Sequence, residues 1–583
     1  MDSLCAVNML ISLLLLSPVL LLADECTKSC DLQYPGGNTV KMCGTDYQTH
    51  VTHSDAFYDN TCYDLCGIMT QYEGICGCPH DCYSEVGHGI CSDNLCACSS
   101  DWSGYDCSLP SDSNKCSLHG KAIEPADKDS EFPFVYCVCD EGFTGSDCSS
   151  PEIDVGTMPW SNIYDEKIYY DDEYGDDHPV WNISVFATVR VNIKESDYIN
   201  LLLPENLYNE SYASATIHFD NGHVKETIDN VGFRVKGQGG RMDQKKGWAM
   251  KFNKFVSGQK LLDIKKMGFK GCSEKDSFVK IQVATDLYRA MSVPAQRSSY
   301  ALLYINEIFA GLYFMHEDIS DDFTASRYAG NGEGNLMQLY FNVHFAYFGT
   351  DDTYYRDKVY VNDLGYPMHY YDQTDGNDNW YDFTEWLQFF NTSTDAEFVD
   401  QIETFVDIPS LFRSMATEAF LLSSDDIASG NNIYVYHQVS DGKEQQMSIF
   451  TYDFEDLFNF DPITQEPLQN PDIFEFFGPE RDKYEEINPL TTRLFQIEKY
   501  RSLYVDTMET LVEAVCGSAS KQQVSSRFAS IFQFVLPWVA RDKLWQLSYG
   551  ITVEEFVVAA ESSIAHFPLR YQNVTAQIAS FNE

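Results

Sequence analysis

The residues best suited to chemistry lie at 421–460, where Asp425 and Asp426 occupy a polar turn that ends in Asn431 and Asn432. A strand pattern follows at 433–436. The turn Asp441-Gly442-Lys443 leads to a second strand pattern at 447–452, which delivers Asp453, with Glu455 and Asp456 just beyond. The layout is acid, amide, hairpin, acid. Phosphoryl transfer uses such an inventory: one carboxylate takes the proton of the attacking hydroxyl, and an amide and a further carboxylate hold the metal. Mg²⁺ takes few carboxylates and keeps its other positions for water and phosphate oxygen. The same residues also describe a β-hairpin with solvated acidic ends, the commoner use of this pattern in an acidic chain.

A second group lies upstream. Phe233-Arg-Val-Lys-Gly-Gln-Gly-Gly-Arg241 reads as a strand running into a glycine-rich turn, and Gly247-Trp-Ala-Met-Lys-Phe252 as a strand carrying Lys251. Glycines let backbone N–H groups approach phosphates, and a fixed lysine neutralises them. Most glycine-rich turns, however, only supply positive φ.

The elements that must position these residues are legible from periodicity. Residues 185–192, 213–219 and 232–236 alternate as half-buried strands do, and Asp220-Asn221-Gly222 is a hairpin turn. Apolar spacing predicts a helix over 276–291, a strand over 299–305, a turn at Asn306-Glu307 and a return strand over 309–316, closed by Glu317-Asp318-Ile319. Helices are expected at 408–422, 491–516 and 553–567, with Pro568 ending the last and a short helix at 569–580. Strands first and helices later make 181–583 an α+β domain.

At 583 residues the chain is too long for one core. A net charge of −49 excludes a general nucleic-acid binder, because a polyanion is repelled. Residues 1–23 read as a secretory signal, apolar from Met9 to Leu22 with Ala23 at the cleavage point, although no Lys or Arg precedes the apolar run. That run is shorter than the about 20 residues of a spanning helix, so no membrane span is expected after its removal. Sequons at Asn182, Asn209, Asn391 and Asn573 are candidate glycosylation sites and fit a secreted or cell-surface protein.

Of 19 cysteines, sixteen fall between Cys26 and Cys148, and only Cys272 and Cys516 lie beyond. Such density behind a leader implies a disulfide framework. Cys272 and Cys516 either pair or stay free. Cys26, Cys30, Cys43, Cys62, Cys66 and Cys76, with Cys43-Gly-Thr-Asp46 and Tyr58-Asp-Asn-Thr-Cys62, make 24–77 resemble a Kazal-type module. The resemblance implies the pairs Cys26–Cys66, Cys30–Cys62 and Cys43–Cys76, and a protease-inhibiting loop after Cys30 as one use. Cys96-Ala-Cys98-Ser-Ser-Asp-Trp-Ser-Gly-Tyr-Asp-Cys107 makes 78–108 resemble an EGF-like repeat. That implies Cys78–Cys91, Cys82–Cys96 and Cys98–Cys107. Residues 109–150 end in the same way, but hold four cysteines, Cys116, Cys137, Cys139 and Cys148, so one bridge of the repeat is missing. Here the resemblance implies Cys116–Cys137 and Cys139–Cys148. An acidic stretch, 151–180, reads as a solvated linker.

Three blocks of the C-terminal domain together resemble the CotH kinase family. They are 231–252; Tyr304-Ile-Asn-Glu-Ile-Phe-Ala-Gly-Leu-Tyr313 with Glu317-Asp-Ile and Gly334-Asn-Leu; and Asp425/Asp426 with Asn432-Ile-Tyr-Val-Tyr436 and Tyr452-Asp-Phe-Glu455. The resemblance implies an atypical, secreted protein-kinase-like fold moving phosphate from ATP, with Mg²⁺ or Mn²⁺, to protein Ser or Thr. Carried over, Asp425 or Asp426 is the catalytic base. Lys236, Gly237, Gly239 and Lys251 meet the nucleotide, with Glu317 orienting the lysine or a metal. Asn432, Asp453 and Glu455 hold the metal. Three positions depart from the family pattern: Glu455 stands for Asp, Tyr452 for Trp, and Gln338 for Lys. The partner is then a protein acceptor. The rival reading is a non-catalytic adhesion protein engaging a cell-surface receptor.

Overall fold

The computed structural model describes short backbone segments within 39–151, residues 155, 156, 160, 163 and 164, and then the chain from 178. From 178 it omits 238, 329–333, 341–342, 362–366, 377–379, 424, 428, 438–445, 459–471, 475–487, 518–522 and 583. The leader expected at 1–23 lies outside the described residues. So do Gln238 of the glycine turn, the side chain of Cys78, and at least one cysteine of every other implied bridge except Cys82–Cys96.

The chain divides into two compact units, Met1–Ile153 and Asp154–Glu583. In the first, Thr39–Gly44, Thr49–His53, Thr70–Ile75 and Cys78–Pro79 form a small antiparallel sheet. Two-stranded ribbons follow, among them Gly89–Ser92 with Leu95–Cys98 and Gly120–Ile123 with Tyr136–Cys139. Cys82 and Cys96 are joined, as the EGF-like resemblance implies, and Cys91 is also disulfide-bonded.

The second unit is mixed α+β. Its first layer is a closed seven-stranded barrel. The strands are β1 (Phe186–Ile193), β2 (Ala213–Asp220), β3 (Lys225–Lys236), β4 (Gly247–Lys251), β5 (Lys266–Lys270), β6 (Ser298–Ile305) and β7 (Ile308–Glu317). Neighbours run antiparallel, except that β1 and β6 pair in parallel and close the ring. The period-2 pattern sends Val189, Val191, Phe233, Val235, Trp248, Met250, Met267, Phe269 and Leu303 into one core. Phe233 and Trp248 stack there at 4.5 Å. The alternate residues of β3–β5, including Lys236, Lys251, Lys266 and Lys270, therefore sit on the outer face.

A four-stranded antiparallel sheet follows: β8 (Asn335–Leu339), β9 (Tyr371–Asp375), β10 (Ile433–His437) and β11 (Met447–Thr451), in the order β9-β8-β10-β11. The helices used below are α1 (Ser277–Ala290), α2 (Asp321–Arg327), α3 (Ile408–Leu421), α4 (Pro489–Phe495), α5 (Glu498–Cys516), α6 (Val524–Val539), α7 (Lys543–Tyr549) and α8 (Val553–Asn582). Helix α3 is buried along nearly its whole length, and packs on β11, α1 and α5. It carries the chain into the Asp425 turn through Leu422, which adopts φ 52°.

Three expectations change, and one open alternative is decided. The helix expected over 491–516 is two helices, α4 and α5, broken at Gln496–Ile497. Pro568 does not end α8, which runs to Asn582. A proline inside a helix costs about 3 kcal/mol. Here Phe567, Arg570, Val574 and Ile578 are buried on both sides of it, and Arg570 donates to the Ala419 carbonyl at 2.8 Å, so packing outweighs the lost bond. The acidic stretch before the barrel is not wholly solvated: Val155 and Trp160 are buried, and the Val155 carbonyl accepts Arg527 at 2.8 Å. Cys272 and Cys516 are both free and buried.

Gly311 on β7 is required by a close approach. It has φ 121°, and a Cβ there would lie 2.4 Å from the Asp542 carboxylate. Gly311→Ala is expected to cost about 2–4 kcal/mol, from backbone strain plus displacement of Asp542, read as a lower denaturant midpoint.

Candidate functional site

The hairpin β10–β11 brings the acid–amide–acid set together. Asn432 sits just before β10 with φ 52°, and the Tyr452 amide after β11 donates to the Asn432 carbonyl at 3.1 Å. This ties the start of one strand to the end of the other. Asp453 follows with φ 69°. Two non-glycine residues in left-handed conformations at one strand end are a local cost, of the kind found where a site dictates the backbone.

The two candidate bases separate. Asp426 is fully buried, and its carboxylate accepts the Ser429 amide at 2.9 Å, so it organises the turn. Asp425 takes a hydrogen bond from Asn432 Nδ2 at 3.2 Å. Burial and the neighbouring Asp456 push the Asp425 carboxyl up to about 6, partly offset by Asn431 and Lys270. Asp425 is thus the acid that faces the other charged groups.

Lys270, at the end of β5, forms ion pairs with both Asp453 and Glu455, the latter at 3.2 Å. Glu455 also accepts the Ser273 amide and hydroxyl, each at 3.0 Å. Glu274 is raised by burial and by Asp456 and Glu455. Asp425, Asp453, Glu455 and Asp456 therefore crowd one region with Lys270 among them.

The carboxylate oxygens gathered here are of the hard type that a divalent cation takes. Among the described residues, no three His, Cys, Asp or Glu side chains form a ready metal cage. Mg²⁺ asks for one or two carboxylates and leaves the rest to water and phosphate. Asp453 and Glu455 already converge on one positive charge, and all donors are hard oxygens.

The lysine and glutamate expected to pair do not. Glu317 is buried between Arg297 (2.8 Å) and Arg327 (2.5 Å). Burial opposes its charge, but the two guanidiniums win and hold its carboxyl at about 2. It is a buried structural ion cluster, and neither Lys251 nor Arg234 is its partner; Arg234 pairs with Glu210 at 3.0 Å. The next residue, Asp318, takes the lysine contact instead, from Lys236 at 2.7 Å. Lys251 lies opposite Lys266 in the β4–β5 register. Its ammonium pKa is lowered by burial and by Lys266 and Lys254, against Asp321 and Asp318. Lys266 is four residues from Lys270, about 13 Å along the strand. Lys251 thus belongs to a like-charged row on the barrel's outer face, while Lys270 meets the acids.

The glycine turn leaves β3 at Gly237, whose φ of 118° only glycine adopts readily. Gly239 begins the helical turn Gly239–Arg241, and Arg241 donates back to the Gly237 carbonyl and to Leu207 at 2.9 Å. Two departures from the family pattern touch each other: Gln338 Nε2 donates to the Tyr452 hydroxyl at 2.5 Å, and Tyr340 donates to Gln338 Oε1 at 2.7 Å. An amide–phenol pair here stands where the family pattern has lysine and tryptophan.

Of the sequons, Asn209 is exposed, while Asn391 Nδ2 donates to the Phe345 and Leu387 carbonyls, an engagement that a glycan would break.

Lys270 and Ser273 were not among the expected site residues; Asp456 was noted beside Asp453 and Glu455 but given no role. The alternation Lys266-Met-Gly-Phe-Lys270 was the available signal, with a lysine on the same face as Lys266 and a glycine directly after it.

A family model described as CotH kinase protein matches residues 233–532. No curated protein matches the chain. The family description suggests kinase activity in general and, with it, ATP and a divalent metal. The matched segment contains the end of β3, all of β4–β11, the Asp425 turn and the Asp453–Glu455 acids, and it covers more than half of the chain: this protein belongs to the CotH kinase family.

Proposed function

We propose that this protein is a secreted protein kinase that moves the γ-phosphate of ATP to Ser or Thr hydroxyls of secretory-pathway or surface proteins, with Mg²⁺ or Mn²⁺. One observation carries the reading: Asp425 is bonded to Asn432 and lies in the field of Lys270, which itself holds Asp453 and Glu455. Asp425 accepts the acceptor hydroxyl's proton at its carboxylate and orients the oxygen. Asn432, Asp453 and Glu455 would hold the cation, which when bound neutralises phosphate charge. Ser273 fixes the Glu455 carboxylate, and so compensates for the extra methylene of Glu at this position. Lys270 supplies a positive charge beside the phosphate. Lys236, Gly237 and Lys251 line the nucleotide side of the barrel. The leader-like 1–23 and the cysteine-dense front end support the secretory route, and the Kazal-like and EGF-like units serve as contact modules.

The purified full chain, incubated with γ-labelled ATP, Mg²⁺ or Mn²⁺ and a panel of secreted acceptors, is expected to label Ser or Thr. No label, together with no thermal shift on adding ATP·Mg²⁺, would overturn the reading and favour an adhesion role.

A further inference from the structure

Helix α7 and its N-cap, residues 542–549, lie beyond the segment matched by the family model, yet they hold both loops that frame the acids. Asp542 caps α7 by accepting the Trp545 amide at 2.8 Å, and it also accepts the Leu312 amide of β7 at 2.8 Å. The same carboxylate pairs at 2.6 Å with Lys245, which is completely buried and also donates to the Leu312 carbonyl at 2.5 Å. Lys245 lies in the loop that follows the glycine turn.

The loop is gripped through its backbone as well. Its Lys245 amide donates to Ser548 Oγ at 2.9 Å, and the Tyr549 hydroxyl donates to the Lys245 carbonyl at 3.2 Å. On its other side, α7 holds the segment after β5. Trp545 Nε1 donates to the Cys272 carbonyl at 2.6 Å, and the Tyr549 hydroxyl lies 2.8 Å from where a Gly271 Cβ would stand. That segment is bounded by Lys270 and Ser273, the two residues that engage Glu455. Asp243, in the glycine-turn loop, is within electrostatic range of Glu455.

We propose that α7 with Asp542 is a positioning latch: it fixes the Gly239–Gly247 loop and the Lys270–Ser273 segment relative to each other, and so sets the distance between the nucleotide loop and the metal-binding acids. This rests on the kinase reading for its consequence, but the latch itself is a statement about loop order. A buried charge pair of this kind adds little net stability over an apolar pair, because both ions lose their water. A well-defined geometry between distant segments is what it supplies here. Misplacement of about 1 Å at such a site can cost 10²-fold in rate.

The test uses the full chain with Ser548→Ala and Tyr549→Phe combined. These remove the two bonds to the Lys245 backbone and leave no charge buried alone. Hydrogen exchange is followed in the 239–247 and 271–273 amides and, as a reference, in β6. The latch requires faster exchange in the loops, at least about tenfold, with β6 unchanged, and a rise on the order of tenfold in the KM for ATP with a smaller change in kcat. Unchanged loop exchange overturns it, as does loosening spread equally through β6, since either gives α7 only a general packing role. Loosened loops with an unchanged KM also overturn it. If the parent chain neither binds ATP nor transfers phosphate, the kinase reading falls while the exchange data still decide whether α7 orders the loops. A second variant, Asp542→Asn, keeps the cap acceptor and removes the charge opposite Lys245, and it should loosen the same amides further.

Discussion

Asp453→Asn should abolish phosphate transfer while leaving the fold intact. The substitution keeps size and keeps a residue type that tolerates the observed φ of 69°, so the strand-end geometry survives. It removes the negative charge that Lys270 now meets and that a divalent cation would need. Losing one electrostatic group aimed at a developing charge costs about 10²–10³-fold in kcat, and loss of a metal-binding acid should reach at least the upper end. The measurement is γ-phosphate transfer at saturating ATP, with the melting temperature as control. Because Asp453 and Lys270 are both partly exposed, their pairing adds little to stability, and the melting temperature should move only slightly. Transfer at the parental rate in this variant would remove Asp453 from the chemistry.

Glu317→Gln should do the reverse, with a large loss of stability whatever the activity. Both of its guanidinium partners, Arg297 and Arg327, are buried, and Arg327 also donates to the Ala295 carbonyl, so the cluster joins β7, α2 and the segment before β6. Removing the anion leaves two buried cations facing each other, a loss of about 3–5 kcal/mol. The pH dependence follows from the same geometry. The folded carboxyl titrates near 2, below its ordinary 4.5, so its contribution is fully present above about 4.5 and is lost as pH falls from there toward 2. That difference corresponds to about 3 kcal/mol. Denaturant titrations at pH 6 and pH 3 should show the parent losing stability and the Gln variant losing less over the same interval. Equal losses would mean that other carboxylates dominate the acid response.

The two experiments separate a distinction that residue types cannot make. Glu317 and Asp453 are both acids at the C-terminal end of a barrel or sheet strand, and both fall in blocks resembling the family pattern. One is held between arginines from elsewhere in the chain. The other faces a lysine near solvent. The partners Arg297 and Arg327 are 20 and 10 residues from Glu317, and no local pattern announces that both turn toward it.

Sequence alone placed five of the seven barrel strands to within a few residues, together with the hairpin β10–β11 and the acid–amide–acid order, because side-chain alternation and turn chemistry are local; it missed β5 (Lys266–Lys270) and the first seven residues of β3. It also singled out Asp425, Asn432, Asp453 and Glu455, since these flank elements whose ends it could see. Only the tertiary structure decided which of Asp425 and Asp426 faces the charged cluster, that Lys270 rather than Lys251 meets the acids, and that β1 closes a barrel on β6. It also decided that Pro568 is carried through α8 and that a helix some 300 residues downstream grips the Lys245 loop. The physical reason is the same in each case. Charge partners, ring closure and packing across a proline depend on residues distant in sequence, and their energies outweigh the local preferences that a sequence displays.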